Sequence, residues 1–497
     1  MHDHILDKFF KPKSIAVVGA SSKENSIGRI LIENLKDGFP GSIYPINPKG
    51  GEILGIPAFP AITDVPESID LAIIAIPIKG VPKIMRDCGQ AKVPGVIIIS
   101  AGGKEVGEEG KEIEAEIHAA AHAGGIRYLG PNCMGILCPK ERLNASFAAH
   151  SVRPGSVALL SQSGAICSAI LDMAEVQNIG FSHFVSIGSM ADLDFAEMID
   201  YLGNNDQARS ILIYMENLVH HRKFMSAARS VSRVKPIIVV KSGRSEAAAR
   251  AATSHTGALA GKDEAYNAAF RRAGIIRVDT ISQLFNCAEA LGKMSRPLAG
   301  NLAIITNAGG PGVMAVDAFS KWGLEPAALS PETLESLDQV LPPHWSRNNP
   351  VDILGDAPPP RYIAALNGVL AAPEVSGALV LLSPQAMTDP TGVAQALAPE
   401  IKKQAKPVFA VWMGAQDVAP GIRVLNEAGI PTYETPEEAV DTFMQMFSYT
   451  RNLELLQETP PRLPSDLQVN QKQAHTFIDE CFKRQKPLLT EVEVMKR

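Results

Sequence analysis

The stretch Val157-Ala-Leu-Leu-Ser-Gln-Ser-Gly164 is a short apolar run that ends in small polar residues and a glycine. Leu302-Ala-Ile-Ile-Thr-Asn-Ala-Gly309 repeats this pattern farther along the chain. A helical stretch follows each run, and a strand that leads through a tight turn into a helix is typical of doubly wound α/β sheets. The two stretches therefore predict two flavodoxin-like domains of similar build.

Other β-branched runs alternate with helical stretches in three series, as parallel sheets require. The predicted strands of the first series are Ile15–Val18, Ile43–Ile46, Leu71–Ile76, Val96–Ile99 and Arg127–Leu129. Those of the second and third series are Val157–Leu160, Ile211–Met215, Ile237–Val240, Ile275–Val278, Leu302–Ile305, Ala378–Leu382 and Val408–Val411.

We therefore predict an α/β protein with an N-terminal Rossmann-like domain and two flavodoxin-like doubly wound domains. The predicted boundaries are 1–142, 143–297 and 298–452, and residues 453–497 form a linker-like tail. Within that tail, one short helical pattern lies near Gln471–Phe482.

The composition indicates a soluble, cytoplasmic protein of several domains. The chain has 497 residues, of which 46% are apolar and 20% charged, and a net charge of −6 without a basic patch excludes a nucleic-acid footprint. No apolar run approaches the ~20 residues that span a bilayer, and the N-terminus lacks the apolar core of a signal peptide. The six cysteines show no CxxC pair or zinc-type spacing, so reduced thiols and no metal site are expected.

A glycine turn follows the first predicted strand. Gly19-Ala20-Ser21-Ser22 and the helix opening at Ile27-Gly28 let backbone amides approach a phosphate. Strand two ends in Asn47-Pro48-Lys49, where a dinucleotide enzyme carries an acidic residue. A lysine there favours a phosphorylated ribose, as in CoA, and NADP stays open as the alternative.

Further strand ends of this domain carry small residues and meet at one edge of the sheet, where ligands bind in open parallel sheets. Cys133 lies either near a thioester or in the core, and the sequence leaves both open. The candidate CoA-binding residues are Gly19, Ala20, Ser21, Ser22, Lys49, Pro77, Ser100, Ala101, Gly102, Asn132 and Cys133.

The segment between Lys241 and Glu264 contains almost no large apolar residue, and it carries Ser254-His255-Thr256-Gly257. A loop of this length inside a compact domain is usually functional or disordered. A neutral imidazole is a competent nucleophile at pH 7, so His255 is a candidate catalytic residue.

In this order, the motifs resemble the ADP-forming acetyl-CoA synthetases, relatives of succinyl-CoA synthetase, over roughly residues 8–450. The resemblance implies that acyl-CoA, phosphate and ADP are converted reversibly to carboxylic acid, CoA and ATP. It implies that His255 is transiently phosphorylated and that Glu216 orients its ring. It also implies that two helix N-termini hold the phosphoryl group, through Ser161, Ser163, Gly164, Gly309, Gly310 and Gly312.

The resemblance implies an ATP-grasp domain that supplies the ATP/ADP and Mg sites. The sequence after residue 450 is too short for one, so we expect a β-subunit partner or a truncated fusion, in an oligomer. The alternative is a non-catalytic module that senses CoA or acyl-CoA, as in acetyltransferase-linked relatives. The acyl group and the choice between ADP and GDP cannot be predicted from this sequence.

Overall fold

The computed structural model describes residues 4–176, 179–245, 247–248, 262–458 and 471–484. The chain divides into two compact units, Met1–Leu456 and Gln457–Arg497. In the first unit, the described residues form three large sheets with helices packed on them. In the second unit, the described residues include one helix at Gln471–Lys483, which confirms the helical pattern predicted there.

The first sheet is fully parallel and has the strand order β2-β1-β5-β6-β7. All five strands predicted for it are present. Its five strands are β1 Ser14–Val18, β2 Ser42–Ile46, β5 Leu71–Ile74, β6 Gly95–Ile98 and β7 Arg127–Leu129. A separate antiparallel hairpin consists of β3 Gly51–Ile53 and β4 Ile56–Ala58. The helices of this region are α1 Asp7–Phe10, α2 Ile27–Lys36, α3 Val81–Gln90 and α4 Glu108–Gly124.

The second sheet has the order β14-β13-β12-β10-β11-β8-β9, in which β8 and β9 run antiparallel. Its strands are β8 Gly135–Cys138, β9 Leu143–Ser146, β10 Pro154–Ser161, β11 Phe181–Ser186, β12 Ser210–Met215, β13 Ile237–Lys241 and β14 Ile276–Val278. The described helices are α5 Gly164–Val176, α6 Phe195–Gly203, α7 His221–Val231, α8 Asp263–Ala273 and α9 Ile281–Lys293. The sequence analysis missed β8, β9 and β11, and the hairpin β8–β9 straddles the predicted boundary at 142.

The third sheet is parallel, with the order β16-β15-β17-β18-β19. Its strands are β15 Leu302–Thr306, β16 Val351–Asp352, β17 Gly377–Leu382, β18 Val408–Trp412 and β19 Thr432–Tyr433. The helices around it are α10 Gly309–Ser320, α11 Pro331–Asp338, α12 Pro359–Ala371, α13 Pro390–Ile401, α14 Ala419–Glu427 and α15 Pro436–Gln457. Helix α15 continues past the predicted boundary at 452, because Leu453 is buried against the second domain.

The parallel strands of all three sheets share one order. Counted along the chain within each domain, the strands lie as 2-1-3-4-5, the flavodoxin-like arrangement. In this arrangement, the chain reverses direction across the sheet between strands 1 and 3, and ligands bind outside their carboxyl ends. The fold therefore contains three candidate crevices, after β1 and β5, after β10 and β12, and after β15 and β17.

The first two domains share one hydrophobic core, which runs from the N-terminal helix to β13 and α8. Phe10 of α1 contacts the ring of His183 on β11 edge to face, with 5.0 Å between centroids. The third domain has cores of its own, and α15 ties it to the second, where the Tyr449 hydroxyl donates to the Ser232 carbonyl at 2.7 Å. Among the described helices, none is long and apolar enough to cross a membrane.

Candidate functional site

The crevice of the first domain opens directly after β1. Gly19 has a φ of +91°, a conformation that favours glycine. A side chain at Gly28 would overlap the carbonyl oxygen of Gly19, so the first turn of α2 can lie against the strand end only without a Cβ. The Ser26 hydroxyl caps this helix by accepting from the Arg29 amide at 3.3 Å.

The end of β2 is tied to the same turn. The Asn47 side-chain amide donates to the Ala20 carbonyl at 2.8 Å, and its oxygen accepts from the Lys49 amide at 3.0 Å. Lys49 is exposed at this edge, as is Ser22, and Ser21 is half-exposed. The structure thus brings Gly19, Ser21, Ser22 and Lys49 together at one edge of the sheet, whereas the side chain of Ala20 lies in the core.

The ends of β5, β6 and β7 form the rest of the crevice edge. The Ser100 hydroxyl donates to the Ile76 carbonyl at 2.5 Å, beside the exposed Pro77, and the Asn132 amide donates to the Ser100 carbonyl at 2.9 Å. Ala101 and Asn132 are exposed. Gly102 has a φ of +110°, and a side chain there would press on Ile78.

Cys133 has its side chain in the core. It is 3% exposed, and its thiol donates to the Ile98 carbonyl at 3.2 Å. Burial raises the pKa of this thiol to about 12, so it is neither an available nucleophile nor a side-chain ligand in the crevice. Of the two possibilities that the sequence left open, core packing is the one observed.

The second domain forms a wall of this crevice. The Ser189 amide donates to the Pro131 carbonyl at 2.9 Å, and the Lys104 ammonium reaches across to the Ser189 carbonyl at 2.7 Å. Met134 is fully buried, and its Cβ lies 3.8 Å from where a Cβ on Gly164 would be. The crevice of the first domain therefore adjoins the beginning of helix α5.

The second crevice opens after β10 with a hydrogen-bonded turn. The Ser161 hydroxyl donates to the Ser163 carbonyl at 3.0 Å and accepts from the Ser163 amide at 3.1 Å. The Ser163 hydroxyl in turn accepts from the Ile166 amide at 3.3 Å, and Gly164 begins helix α5. Backbone amides at such a helix start are an anion-binding feature.

Gln162 links this turn to Glu216, which follows β12. Its side-chain oxygen accepts from the Glu216 amide at 2.6 Å and from the Asn217 amide at 3.0 Å. Its side-chain amide donates to the Asn217 side-chain oxygen at 3.2 Å. The backbone of the half-buried Glu216 is thus held at the edge where helix α5 begins.

The third crevice opens with a turn that repeats the pair of hydrogen bonds made by Ser161 in the second. The Thr306 hydroxyl donates to the Ala308 carbonyl at 2.7 Å and accepts from the Ala308 amide at 3.1 Å. The Asn307 side chain accepts from the Ser383 amide at 2.8 Å and donates to its carbonyl at 2.9 Å. Helix α10 then begins at the exposed Gly309, and Ala308 offers its first turn no side-chain cap. Its first amides are therefore available to an anion.

Within that first turn, Gly310 is exposed and Gly312 is buried. A side chain at Gly312 would press on Pro350 and Thr306 at 3.2 Å, so this glycine serves helix packing. No atom lies within 4 Å of where a Cβ on Gly310 would be. Of the predicted glycines, Gly309 and Gly310 thus face the opening.

Three polar residues of these crevices were missed by the sequence analysis as site residues. Gln162 and Asn307 follow strands 1 of their domains, and a carboxamide at that position is the signal that would have identified them. Lys241, the last residue of β13, is 3% exposed and pairs with Met215 of β12. The signal that could have identified Lys241 is a lysine at the end of an otherwise apolar strand.

His255, the predicted relay histidine, lies outside the described residues. The described residues on either side of its segment lie at the edge that carries Glu216. The Ser242 amide donates to the Met215 carbonyl at 3.0 Å, and Arg244 lies 3.9 Å from the Asp263 carboxylate. Among the described residues, no group of three or more His, Cys, Asp or Glu side chains is placed to hold a metal ion.

Three family models match the chain in the order of its domains. Residues 13–139 match a CoA binding domain, residues 154–291 a succinyl-CoA ligase like flavodoxin domain, and residues 302–457 a Ligase-CoA domain.

Curated relatives match almost the whole chain. It is 40% identical to the alpha subunit of acetate–CoA ligase (ADP-forming) I of Pyrococcus furiosus, over 90% of this chain and 98% of that subunit. It is 41% identical to acetate–CoA ligase (ADP-forming) I of Archaeoglobus fulgidus, over 90% of this chain. The match spans 64% of the length of that second relative.

A solved structure shares the fold. The dinucleotide forming acetyl-coenzyme A synthetase 1 of Ca. Korarchaeum cryptofilum, in complex with phosphate and ADP, superposes with a TM-score of 0.85. It is 38% identical, and the match covers 92% of this chain and 99% of that chain.

Proposed function

Since this chain belongs to the ADP-forming acetate–CoA ligase family, we propose that it is the CoA-binding and phosphoryl-relay component of an acyl-CoA synthetase. The reaction converts acyl-CoA, phosphate and ADP reversibly to carboxylic acid, CoA and ATP. One observation carries the proposal: in the turns Ser161–Gly164 and Thr306–Gly309 the strand-end hydroxyl bonds in the same way to the amide and carbonyl two residues on, and each turn begins a helix. The first of them adjoins the crevice of the Rossmann-like domain.

The first crevice suits CoA. Gly19 and Gly28 bring backbone amides close to the opening, where the diphosphate of CoA would lie. The exposed Lys49 supplies a cation for the 3′-phosphate of the ribose. Pro77, the Ser100–Gly102 turn and Asn132 line the edge toward the second domain, so the pantetheine arm would extend toward helix α5.

In the first chemical step, phosphate attacks the acyl carbonyl, the carbon–sulfur bond breaks, and CoA leaves as its thiolate. The product is an acyl phosphate. Backbone amides at Gly164 would hold the phosphate beside the thioester, and they add partial positive charge without any titrating group.

In the second step, a nitrogen of His255 attacks the phosphorus, the bond to the acyl oxygen breaks, and the carboxylate leaves. The phosphoryl group then passes from His255 to ADP. Glu216 would accept the other ring N–H, which fixes the tautomer and leaves the attacking nitrogen with its lone pair. The turn at Gly309–Gly310 would provide the second helix start facing the phosphoryl group.

The last transfer requires an ATP-grasp component that binds ADP and Mg²⁺, and we propose a β-type partner or fused half for it. The acyl substrate class is a carboxylic acid joined to CoA as a thioester. Because all six thiols are free, we place the reaction in the cytoplasm.

The test is phosphate labelling of the chain. The protein is incubated with acetyl-CoA and [³²P]phosphate, or with [γ-³²P]ATP, Mg²⁺ and the ATP-grasp partner, and quenched in alkali. We expect acid-labile, alkali-stable label that is lost in His255→Ala, with CoA affinity unchanged by calorimetry. His122→Ala, on the exposed side of α4, is the matched control and keeps the label.

Label that persists in His255→Ala would overturn the relay. An unlabelled wild-type chain that still binds CoA under both conditions would overturn the synthetase and favour a sensor of acyl-CoA.

A further inference from the structure

Asp352 is a carboxylate beside the open start of helix α10. It ends β16 and pairs in the parallel ladder with Thr306 of β15, whose hydroxyl forms the turn of the third crevice. Its Oδ2 atom lies 3.7 Å from where a Cβ on Gly309, the first residue of α10, would be. The structure thus places one carboxylate oxygen next to the amides that we propose to face an anion.

The Asp352 side chain is held in one orientation. Its Oδ1 atom accepts from the Leu354 amide at 2.9 Å, and its backbone amide donates to the Ser346 hydroxyl at 2.9 Å. Its Oδ2 atom has no hydrogen-bond partner among the residues that the structure describes, and no Lys or Arg of that part of the chain pairs with it. One oxygen of a half-buried carboxylate is therefore left for a donor.

The start of α10 leaves two amides for an anion. The first amides of a helix have no partner within it, but the Ala308 amide donates to the Thr306 hydroxyl at 3.1 Å, and Pro311 has no N–H. The amides of Gly309 and Gly310 remain, and both residues are exposed. An anion that accepts from these two donors has the Asp352 carboxylate as its next polar neighbour.

A second polar group near Asp352 also lacks a partner. Tyr362 of α12 is 1% exposed, and its hydroxyl has no hydrogen bond within the described part of the chain. Burial raises the pKa of this hydroxyl, and the charge of Asp352 adds to the effect. Because a buried hydroxyl without a partner costs free energy, it marks a corner of the crevice where a bound group completes the hydrogen bonds.

The cation nearest in sequence does not neutralise Asp352. The Arg361 guanidinium donates to the Ile353 carbonyl at 3.0 Å and to the Asp356 carboxylate at 2.6 Å. An anion at α10 therefore meets a negative charge that repels it, unless the anion donates a proton to that charge. Inorganic phosphate keeps at least one P–OH group at neutral pH, whereas sulfate, an anion of similar size and shape, has none.

We infer that Asp352 is a specificity-determining residue: it accepts a hydrogen bond from the P–OH group of inorganic phosphate bound at Gly309 and Gly310, and it excludes anions without such a proton. That this phosphate is the one consumed in the reaction rests on the proposed function. The helix start alone attracts any small anion, so the selection among anions comes from the carboxylate.

The test reports binding at α10 itself. The chain is labelled with ¹⁵N-glycine, and the Gly310 amide resonance is assigned by its absence in Gly310→Ala, a position with open space for a methyl group. Sodium phosphate or sodium sulfate is then titrated at pH 7. We expect the phosphate midpoint to lie about tenfold or more below the sulfate midpoint, because sulfate cannot make the charge-assisted hydrogen bond to Asp352.

Asp352→Asn removes the charge and keeps the shape and the acceptor for the Leu354 amide. Its side-chain amide can donate to sulfate, so we expect sulfate to bind more tightly and the two midpoints to come within about threefold of each other. Asp356→Asn is the matched control, since Asp356 is exposed on the same loop and pairs with Arg361. It should keep the wild-type ratio.

Equal phosphate and sulfate midpoints in the wild-type chain would overturn the inference. So would an unchanged ratio in Asp352→Asn, or a Gly310 resonance that neither anion moves.

The kinetic arm uses labelling by acetyl-CoA and [³²P]phosphate in the presence of sulfate. We expect sulfate to inhibit labelling of Asp352→Asn at concentrations about tenfold lower than for the wild-type chain or Asp356→Asn. A Gly310 resonance that discriminates the two anions in a chain that is never labelled would count against the proposed function alone. A labelled chain that sulfate inhibits equally in Asp352→Asn and wild type would count against the inference alone.

Discussion

At the scale of single residues, Gly28 shows how closely the backbone constrains the crevice of the first domain, where we propose that CoA binds. A methyl group there would meet the carbonyl oxygen of Gly19, which is backbone and cannot turn aside. We expect Gly28→Ala to lower the free energy of unfolding by about 1–3 kcal/mol and to weaken CoA binding at least tenfold. Urea denaturation and calorimetry check this.

Gly38→Ala is the control for that substitution, because a methyl group at Gly38 would lie 3.4 Å or more from its neighbours. If Gly28→Ala and Gly38→Ala lost the same amounts of stability and CoA affinity, the close contact of α2 with the end of β1 would have no special role.

His183 makes stability depend on pH. It is 2% exposed, and burial lowers its pKa to about 4, with Lys11 and Lys235 adding to the effect. The unfolded chain, with a pKa near 6.5, therefore binds a proton at this residue that the folded chain does not. The stability from this group is complete above pH 6.5 and is lost as pH falls toward 4, by an amount on the order of 3 kcal/mol.

Urea midpoints measured between pH 4 and 7 check this expectation. His183→Gln should flatten the profile in that window, whereas the exposed His122→Gln should not. An unchanged slope in His183→Gln would contradict the assignment.

The positions of individual site residues could be predicted only where they follow directly from the strand that precedes them. Gly19 and the Ser161–Gly164 turn follow apolar runs directly, so their position after a strand was readable. The sequence could not show whether Cys133 faces the crevice or the core, because its orientation depends on the Ile98 carbonyl, which belongs to a strand far away in sequence. Lys241 was not identified because its neighbours Met215 and Tyr266 lie on other elements.

At the scale of elements, most of the apolar strands were predicted, whereas β11, a fully buried strand with polar residues, was not. Phe181–Ser186 is buried at every position although it contains Ser182, His183 and Ser186. These polar groups are satisfied by neighbouring elements: the Ser182 hydroxyl donates to the Val157 carbonyl at 3.2 Å, and the Ser186 hydroxyl accepts from the Met134 amide at 2.9 Å. Such compensation leaves no periodic signal in the sequence.

Helix α9 offers a stabilising substitution. Gly292 is exposed in its last turn, and no atom lies within 4 Å of where a Cβ would be. Gly292→Ala should raise the free energy of unfolding by about 0.5–1 kcal/mol, because alanine loses less backbone entropy on entering a helix. Urea denaturation measures the gain.

Gly89→Ala in α3 is the matched comparison. A Cβ there would lie 3.1 Å from the Cα of Gly124 on α4, so the packing loss offsets the gain in helix propensity. A Gly292 variant no more stable than wild type would contradict the propensity argument.

At the scale of the whole molecule, the number and class of the domains were predicted, but the way in which they join was not. The sequence showed three series of strands, and the structure gives all three the order 2-1-3-4-5. The antiparallel hairpin β8–β9 extends the second sheet from residues that follow the first domain. Contacts between domains such as Lys104 with Ser189 depend on distant residues and carry no local pattern.

The shared core predicts that the first two domains lose structure together. Phe10 is fully buried in this core, where its ring meets His183. Phe10→Ala should cost about 3–5 kcal/mol, and hydrogen exchange should accelerate in β1 and β10 together while β17 keeps its protection.

We expect the reverse for Leu397→Ala in the core of the third domain: hydrogen exchange should accelerate in β17, while β1 and β10 keep their protection. Faster exchange confined to the first sheet in Phe10→Ala would show that the two domains unfold independently.

The two matching turns have a consequence for mutational tolerance. The groups that we propose to face an anion are peptide N–H donors, so most codon changes at Ser163 or Ala308 leave the donors themselves in place. The side chains around each turn can therefore change during evolution while the backbone N–H donors remain. Proteins that have diverged far in side chains would keep this arrangement of donors longest, because it is encoded in chain geometry.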